Sequence, residues 1–186
     1  CVKSVEELSN NIISTIRELT AANLHINFEK SRFTMRRLRF MGNLIDGAFR
    51  AADPKKVKVF CKMERPQKGA QLASILGFIN YLRDFIPLYA TVAGPLEELR
   101  NERRITDEKW KGKAENAFNY LKEILSSAPI LEEIDEGLDI HVATDASQYG
   151  VGAVMFQIEK EGNRRRYIDF ISKALNKAQS NYPASK

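Results

Sequence analysis

Leu138-Asp139-Ile140-His141-Val142-Ala143-Thr144-Asp145-Ala146-Ser147 alternates along its length, gives way to the small-residue turn Gln148-Tyr149-Gly150-Val151-Gly152-Ala153, and is followed by a second apolar run at Val154, Met155, Phe156 and Ile158. Period-two alternation marks a strand, and a short turn rich in small residues joins two strands into a hairpin. A third run, after the polar loop Lys160–Arg165, completes the pattern. Strands are therefore predicted over about Leu138–Thr144, Gly152–Glu159 and Tyr167–Lys173. Asp145 stands near the middle of this hairpin. A carboxylate there is costly to bury unless positive charge offsets it, and a metal ion is the usual offset. The pattern equally allows a turn aspartate that caps the hairpin, since Asp is a favoured turn residue.

Upstream, Ala114–Ser126 reads as an amphipathic helix with Ala117, Phe118, Leu121, Ile124 and Leu125 inward, ended by Ala128-Pro129. Asn101–Asp107 is charged and reads as a loop. Leu72, Ile75, Leu76, Ile79, Leu82, Phe85 and Ile86 form the stripe of a helix over about Ala70–Phe85. A third helical stretch over Leu88–Leu99 should be broken at Gly94-Pro95. Asp53-Pro54 starts a shorter helix, with Pro at its first position, and Pro66 stops it. Strand is expected at Leu24–Phe28 and again from Leu38 to Ile45, with a turn at Asp46-Gly47. Ser4 and Glu7 make a capping-box pattern for a first helix that ends near Asn23.

The 186 residues are 44% hydrophobic and 28% charged, ordinary for a globular chain. No run approaches the roughly 18 apolar residues of a membrane span, so no membrane partner is expected. Two cysteines, Cys1 and Cys61, and two histidines have no metal-ligand spacing, and a reduced intracellular chain is expected. The net charge of +5 suggests a polyanionic partner. Positive charge gathers at Arg32–Arg39, at Lys55–Lys68 and at Arg164-Arg165-Arg166, each of which alone also reads as a solvated face.

Thr144-Asp145-Ala146-Ser147 with Gly150-Val151-Gly152-Ala153-Val154 and Gln157 resembles the opening of the ribonuclease H domain in Ty3/gypsy-type retrotransposon Pol polyproteins. The resemblance extends from about Val5 to Tyr182. Phe40-Met41-Gly42 is similar to the primer-grip hairpin of the polymerase, Asp53-Pro54-Lys55-Lys56-Val57 to the entry into the thumb, and Leu76–Ile86 to the first thumb helix. Gly94-Pro95-Leu96, Trp110, Ala117-Phe118 with Leu121-Lys122, and Ala128-Pro129-Ile130-Leu131 follow in family order and spacing.

The resemblance implies a multi-block α+β chain: the end of the reverse transcriptase palm over 1–50, a helical thumb over 51–104, a tether over 105–127, and the first three antiparallel strands of a ribonuclease H-like domain over 128–186. It implies that Asp145 is the first of four acidic ligands of a Mg²⁺ or Mn²⁺ site. The second falls on a helix after Asn181-Tyr182-Pro183, beyond the sequence; Asp139 and Asp169 match no motif position. The polymerase Tyr-x-Asp-Asp hairpin is absent from these residues. The fragment alone is thus expected to be inactive.

The implied role is to hold primer–template nucleic acid, an RNA–DNA hybrid, through Phe40, Met41, Gly42, Gly77 and Tyr81, with Arg36, Arg37, Lys55 and Lys56 on phosphates. The bland readings stay open: Phe40 and Met41 in a core, and Gly77 easing helix packing. Ala73 and Ser31 depart from the residues common in relatives. The other implied partners are the rest of the Pol polyprotein and a second copy, in a cytoplasmic virus-like particle or the nucleus. The rival reading is a co-opted, non-catalytic binding or assembly module.

Overall fold

The computed structural model describes residues 4–176 and 178–179. Cys1 and Asn181-Tyr182-Pro183 lie outside them. Contacts divide the chain into two compact units, Cys1–Arg36 and Arg37–Lys186.

In the first unit, helix α1 spans Val5–Ala21, and Ser4 caps it by accepting a bond from the Glu7 backbone N–H at 3.1 Å. Its apolar residues recur at helical spacing, but none is buried, and Ile12, Ile16 and Leu19 line an open groove with Ile26 and Phe33. The strand expected at Leu24–Phe28 is absent. A turn bonded from Lys30 N to the Asn27 carbonyl (3.2 Å) and side chain (3.1 Å) takes over. Asn favours such local bonds over a ladder.

The second unit opens with an antiparallel meander, β1 (Arg37–Phe40), β2 (Asn43–Asp46) and β3 (Phe49–Ala52), joined by a fourth strand from far along the chain, β4 (Leu131–Glu132). Helix α2 (Pro54–Cys61) starts as the Pro predicts, with the Asp53 side chain accepting from Lys55 N at 3.0 Å. It ends before Pro66 is reached. Helix α3 covers Gly69–Ile79, and a 3₁₀ turn continues it over Asn80–Phe85. Helix α4 (Tyr89–Glu97) runs straight through Gly94-Pro95, contrary to expectation. Pro95 forfeits one backbone bond there, but Gly94 lets the Tyr149 ring lie against the helix, where a Cβ would collide with it. Short α5 (Asp107–Trp110) and long α6 (Lys113–Ser126) follow. No described helix is long and apolar enough to cross a membrane.

Phe60, Leu72, Ile79, Leu82, Phe85, Leu96 and Leu121 are fully buried and join these helices into one core. Phe118 anchors it, edge-on to Phe60 (centroids 5.7 Å apart) and to Trp110 (5.5 Å). The second sheet holds β5 (Ile140–Ala146), β6 (Gly150–Ile158) and β7 (Arg165–Ala174) in that order, all antiparallel. Both β5 and β7 are outer strands of this sheet, and every residue of β5 is exposed. The fold is thus a mixture of helices and antiparallel sheets.

Candidate nucleic-acid interface and carboxylate site

The β1–β2 turn needs two residues with positive φ, and it has them in Met41 (+48°) and Gly42 (+84°). The turn is stapled to the start of α2. Asp53 N donates to the Gly42 carbonyl at 3.0 Å, and Arg39 lies 3.8 Å from the Asp53 carboxylate. One turn into α2, Lys56 crosses back: a Cβ on Gly42 would stand 3.1 Å from its Nζ. The same ammonium sits over the Tyr81 ring, 4.6 Å from the centroid. So Gly42, Lys56 and Tyr81, from three separate stretches of sequence, meet in one place.

What surrounds them is open. Met41 is 70% exposed, Tyr81 59% and Phe40 56%, which removes the core reading of Phe40 and Met41. Gly77 is exposed, and a Cβ added to it would touch nothing within 4 Å. The reading of Gly77 as a helix-packing residue fails for the same reason. The other basic residues divide. Lys55 is exposed beside Lys56. Arg37 is committed to Asp46 at 2.6 Å across the β1–β2 ladder. Arg36 belongs to the first unit.

The Arg164–Arg166 cluster is not a free basic loop. Arg164 and Arg166 both grip the buried Glu132, at 2.6 and 2.8 Å. Arg164 also holds Glu159 at 2.5 Å, and Arg166 holds Asp135 at 3.2 Å. Burial alone would push the Glu132 carboxyl up, but hydrogen bonds from both guanidiniums outweigh it and hold it below the usual carboxylate range. Hydrogen bonding from Arg164 likewise lowers Glu159. Arg165 lies over the Phe156 ring at 5.2 Å.

Asp145 lies inside β5, opposite Gly152 of β6, which is opposite Ser172 of β7. Directly opposed residues share a face. The Gly152 and Ser172 side of the sheet is the side that meets α4, so Asp145 projects from that side while remaining exposed at the outer strand. Its Oδ1 accepts from Ala146 N at 2.9 Å. A divalent ion prefers several oxygen ligands. Among the described residues, no group of three or more His, Cys, Asp or Glu is placed to hold one. The described residues therefore do not by themselves make a complete metal site. Asp169, in β7, is instead ion-paired to Arg50 at 3.3 Å.

Two residues escaped the sequence reading. Arg50 of β3 joins Asp84 (3.4 Å) to Asp169 and lies 5.7 Å from the Phe85 ring centroid. Leu88 adopts a left-handed backbone, φ +53°, and fills the space a Gly152 side chain would occupy. Neither has a local signal, because both depend on partners distant in the chain.

The sequence model of the RNase H-like domain found in reverse transcriptase matches residues 110–186. Over 181 residues, 92% of this chain, the sequence is 35% identical to the retrovirus-related Pol polyprotein from transposon opus of Drosophila melanogaster. Over 184 residues, 98% of the chain, it is 30% identical to the transposon Tf2-3 polyprotein of Schizosaccharomyces pombe. The chain spans 18% and 14% of the length of these relatives. Among solved structures, the foamy viral protease-reverse transcriptase in complex with RNA/DNA hybrid shares the fold with a TM-score of 0.70 at 20% identity, over 98% of this chain and 24% of that one. A second foamy viral structure, the dRH form in complex with double-stranded DNA, matches with a TM-score of 0.68 at 20% identity, over 98% of this chain and 32% of that one. Residues 110–186 thus match the RNase H-like domain found in reverse transcriptase, in a chain homologous over nearly its whole length to Ty3/gypsy-type retrotransposon Pol polyproteins.

Proposed function

We propose that this chain is the part of a retrotransposon reverse transcriptase that grips the primer–template and connects the polymerase region to the ribonuclease H region. The observation that carries this reading is the meeting of the Met41-Gly42 turn, Lys56 and Tyr81 on an open surface, with Gly77 bare one turn before Tyr81. An ammonium supplies a phosphate contact, which gives affinity without sequence preference. A bare glycine admits a nucleic-acid groove to the helix backbone, and the flank of the Tyr81 ring packs on sugars. In this reading residues 1–50 end the palm, 51–104 form the thumb, 105–127 the tether and 128–186 the ribonuclease H-like part. The ligand is an RNA–DNA hybrid, and the remaining polyprotein is the physical partner.

Asp145 is assigned as one metal ligand of the ribonuclease H site, working with carboxylates that the described residues do not supply. Mg²⁺ or Mn²⁺ would activate water there. The chain alone is expected to bind without cleaving. Cleavage of the RNA strand by the purified chain, lost in Asp145→Asn, would overturn that expectation.

The test of the grip is titration with a labelled RNA–DNA hybrid across salt, with single-stranded RNA as the control. The expected result is steeply salt-dependent binding that prefers the hybrid and weakens in Lys56→Ala. Equal binding of single-stranded RNA, or no binding at low salt, would sink the grip and leave the non-catalytic assembly module as the better account.

A further inference from the structure

The strand that carries Asp145 is exposed along its whole length, and within the sheet it is held by its ladder with β6, from Ile140 opposite Gln157 to Ala146 opposite Val151. A second anchor of the hairpin lies outside the sheet, on the first turn of α4. Thr91 Oγ1 and Ser147 Oγ are 2.8 Å apart. Ser147 follows Asp145 by two residues and organises the turn: its Oγ accepts from Tyr149 N at 3.2 Å and from Gly150 N at 3.3 Å. Ala90 N donates to Ser172 Oγ at 2.7 Å. A Cβ on Gly150 would stand 2.7 Å from that of Ala90, and the Leu88 side chain takes the place of a side chain on Gly152, the residue facing Asp145. Gly94, one turn on, lies under Tyr149. Leu88 holds its position in a left-handed conformation, strained for a branched residue. Such strain persists only where surrounding contacts over-determine it.

We propose that the first turn of α4 is a positioning seat for the Asp145 hairpin, with the Thr91 hydroxyl as its key contact. The orientation of the carboxylate is then set by the helical region together with the strand, where Ala146 N donates to its Oδ1. The same helical region carries the Tyr81 face. Two residues past Tyr81, Arg83 donates to the Ser172 carbonyl, so the proposed grip and the seat share one continuous backbone. The functional weight of this proposal rests on the reading of Asp145 above; the seat itself does not.

The test is residue-resolved amide hydrogen exchange on the whole chain, comparing the parent with Thr91→Val and Thr91→Ser, alongside hybrid binding and thermal melting. Thr91→Val keeps the shape and removes the hydroxyl. Exchange at Tyr149 and Gly150 should rise about fivefold, the worth of one net hydrogen bond. Thr91→Ser should restore it, with melting temperature and hybrid affinity unchanged. Unaltered exchange at Tyr149 and Gly150 in Thr91→Val would overturn the seat. So would an equal rise along β6 and β7, which would mean that α4 holds the sheet generally. Hybrid binding reports separately: if the parent chain binds no hybrid, the grip fails while the exchange data still decide the seat.

Discussion

The helical core and strand β5 are both built from regularly spaced apolar residues, yet one is buried and the other bare. Leu72, Leu76, Ile79 and Leu82 recur at helical spacing and all are buried. Ile140 and Val142 recur at strand spacing and are 50% and 61% exposed. Periodicity therefore reports which face of an element is apolar, and it does not report whether the chain supplies the partner for that face. The same holds in α1, whose apolar stripe lines a groove without burying a residue.

The largest effect that separates the two regions is a core truncation. Phe118→Ala removes the ring that packs edge-on to both Phe60 and Trp110 and should cost about 3–5 kcal/mol in urea unfolding. Val142→Ala on the bare strand should cost under about 0.5 kcal/mol, as a surface change does. A comparable loss in Val142→Ala would show that β5 is packed in solution and would erase the contrast.

The next effect lies where the two sheets approach each other. Glu132 of β4 binds Arg164 and Arg166, which flank the start of β7, and its carboxyl is held below its usual value. A depressed folded-state pKa means stability that is present above the unfolded value, near 4.3, and is lost as pH falls through the folded value. Unfolding free energy should therefore drop on acidification below about pH 5. Glu132→Gln should lower stability at pH 7 by about 1.5–3 kcal/mol, the range for a charged hydrogen bond. It should also flatten the acid limb. An acid limb identical in the variant would remove Glu132 as its source.

Much of this was readable from the sequence, and what was not has a physical reason. The helices at Pro54, Gly69 and Lys113 and the three strands of the second sheet follow from capping residues, apolar period and turn residues, all local signals, whereas the run expected from Leu38 to Ile45 is split by the Met41-Gly42 turn and the strand Phe49–Ala52 had no expectation. The break expected at Gly94-Pro95 is absent because tertiary packing of Tyr149 on Gly94 outweighs a local breaker. The strand expected at Leu24–Phe28 gives way to Asn27 bonding its own backbone neighbours. At the candidate site, the types of residue were legible but their pairing was not. Nothing local says that Arg37 is taken by Asp46 while Lys56 is held on an aromatic ring.

Two glycines sharpen the contrast between packed and open surface. Gly152→Ala forces a methyl group into the Leu88 side chain and should cost about 1–3 kcal/mol by overpacking. Gly77→Ala meets nothing and should raise helix stability by about 0.5–1 kcal/mol. If the Gly77 face takes a nucleic-acid groove, the same methyl group should weaken hybrid binding although it stabilises the fold. Opposite signs in melting and binding would mark the face as an interface. Matching signs would reduce Gly77 to an ordinary exposed helix position.

The smallest effect is the most specific. The Lys56 ammonium over the exposed Tyr81 ring contributes about 0.5–1 kcal/mol, so Tyr81→Leu should barely move the melting temperature. Its consequence should appear in binding. With the ring gone, Lys56 is no longer steered toward the Gly42 turn, and a flexible ammonium must lose more freedom to meet a phosphate. Hybrid affinity should fall while the salt slope stays near that of the parent, because the charge is still present. Lys56→Ala should instead lower the slope of log affinity against log salt by about 0.7–0.9, the value of one phosphate contact. Tyr81→Phe keeps the ring and should match the parent in both. If Tyr81→Leu and Lys56→Ala change the slope alike, the ring acts only by holding the charge. If neither changes binding, the two residues stabilise the hairpin–helix junction and the contact with nucleic acid lies elsewhere.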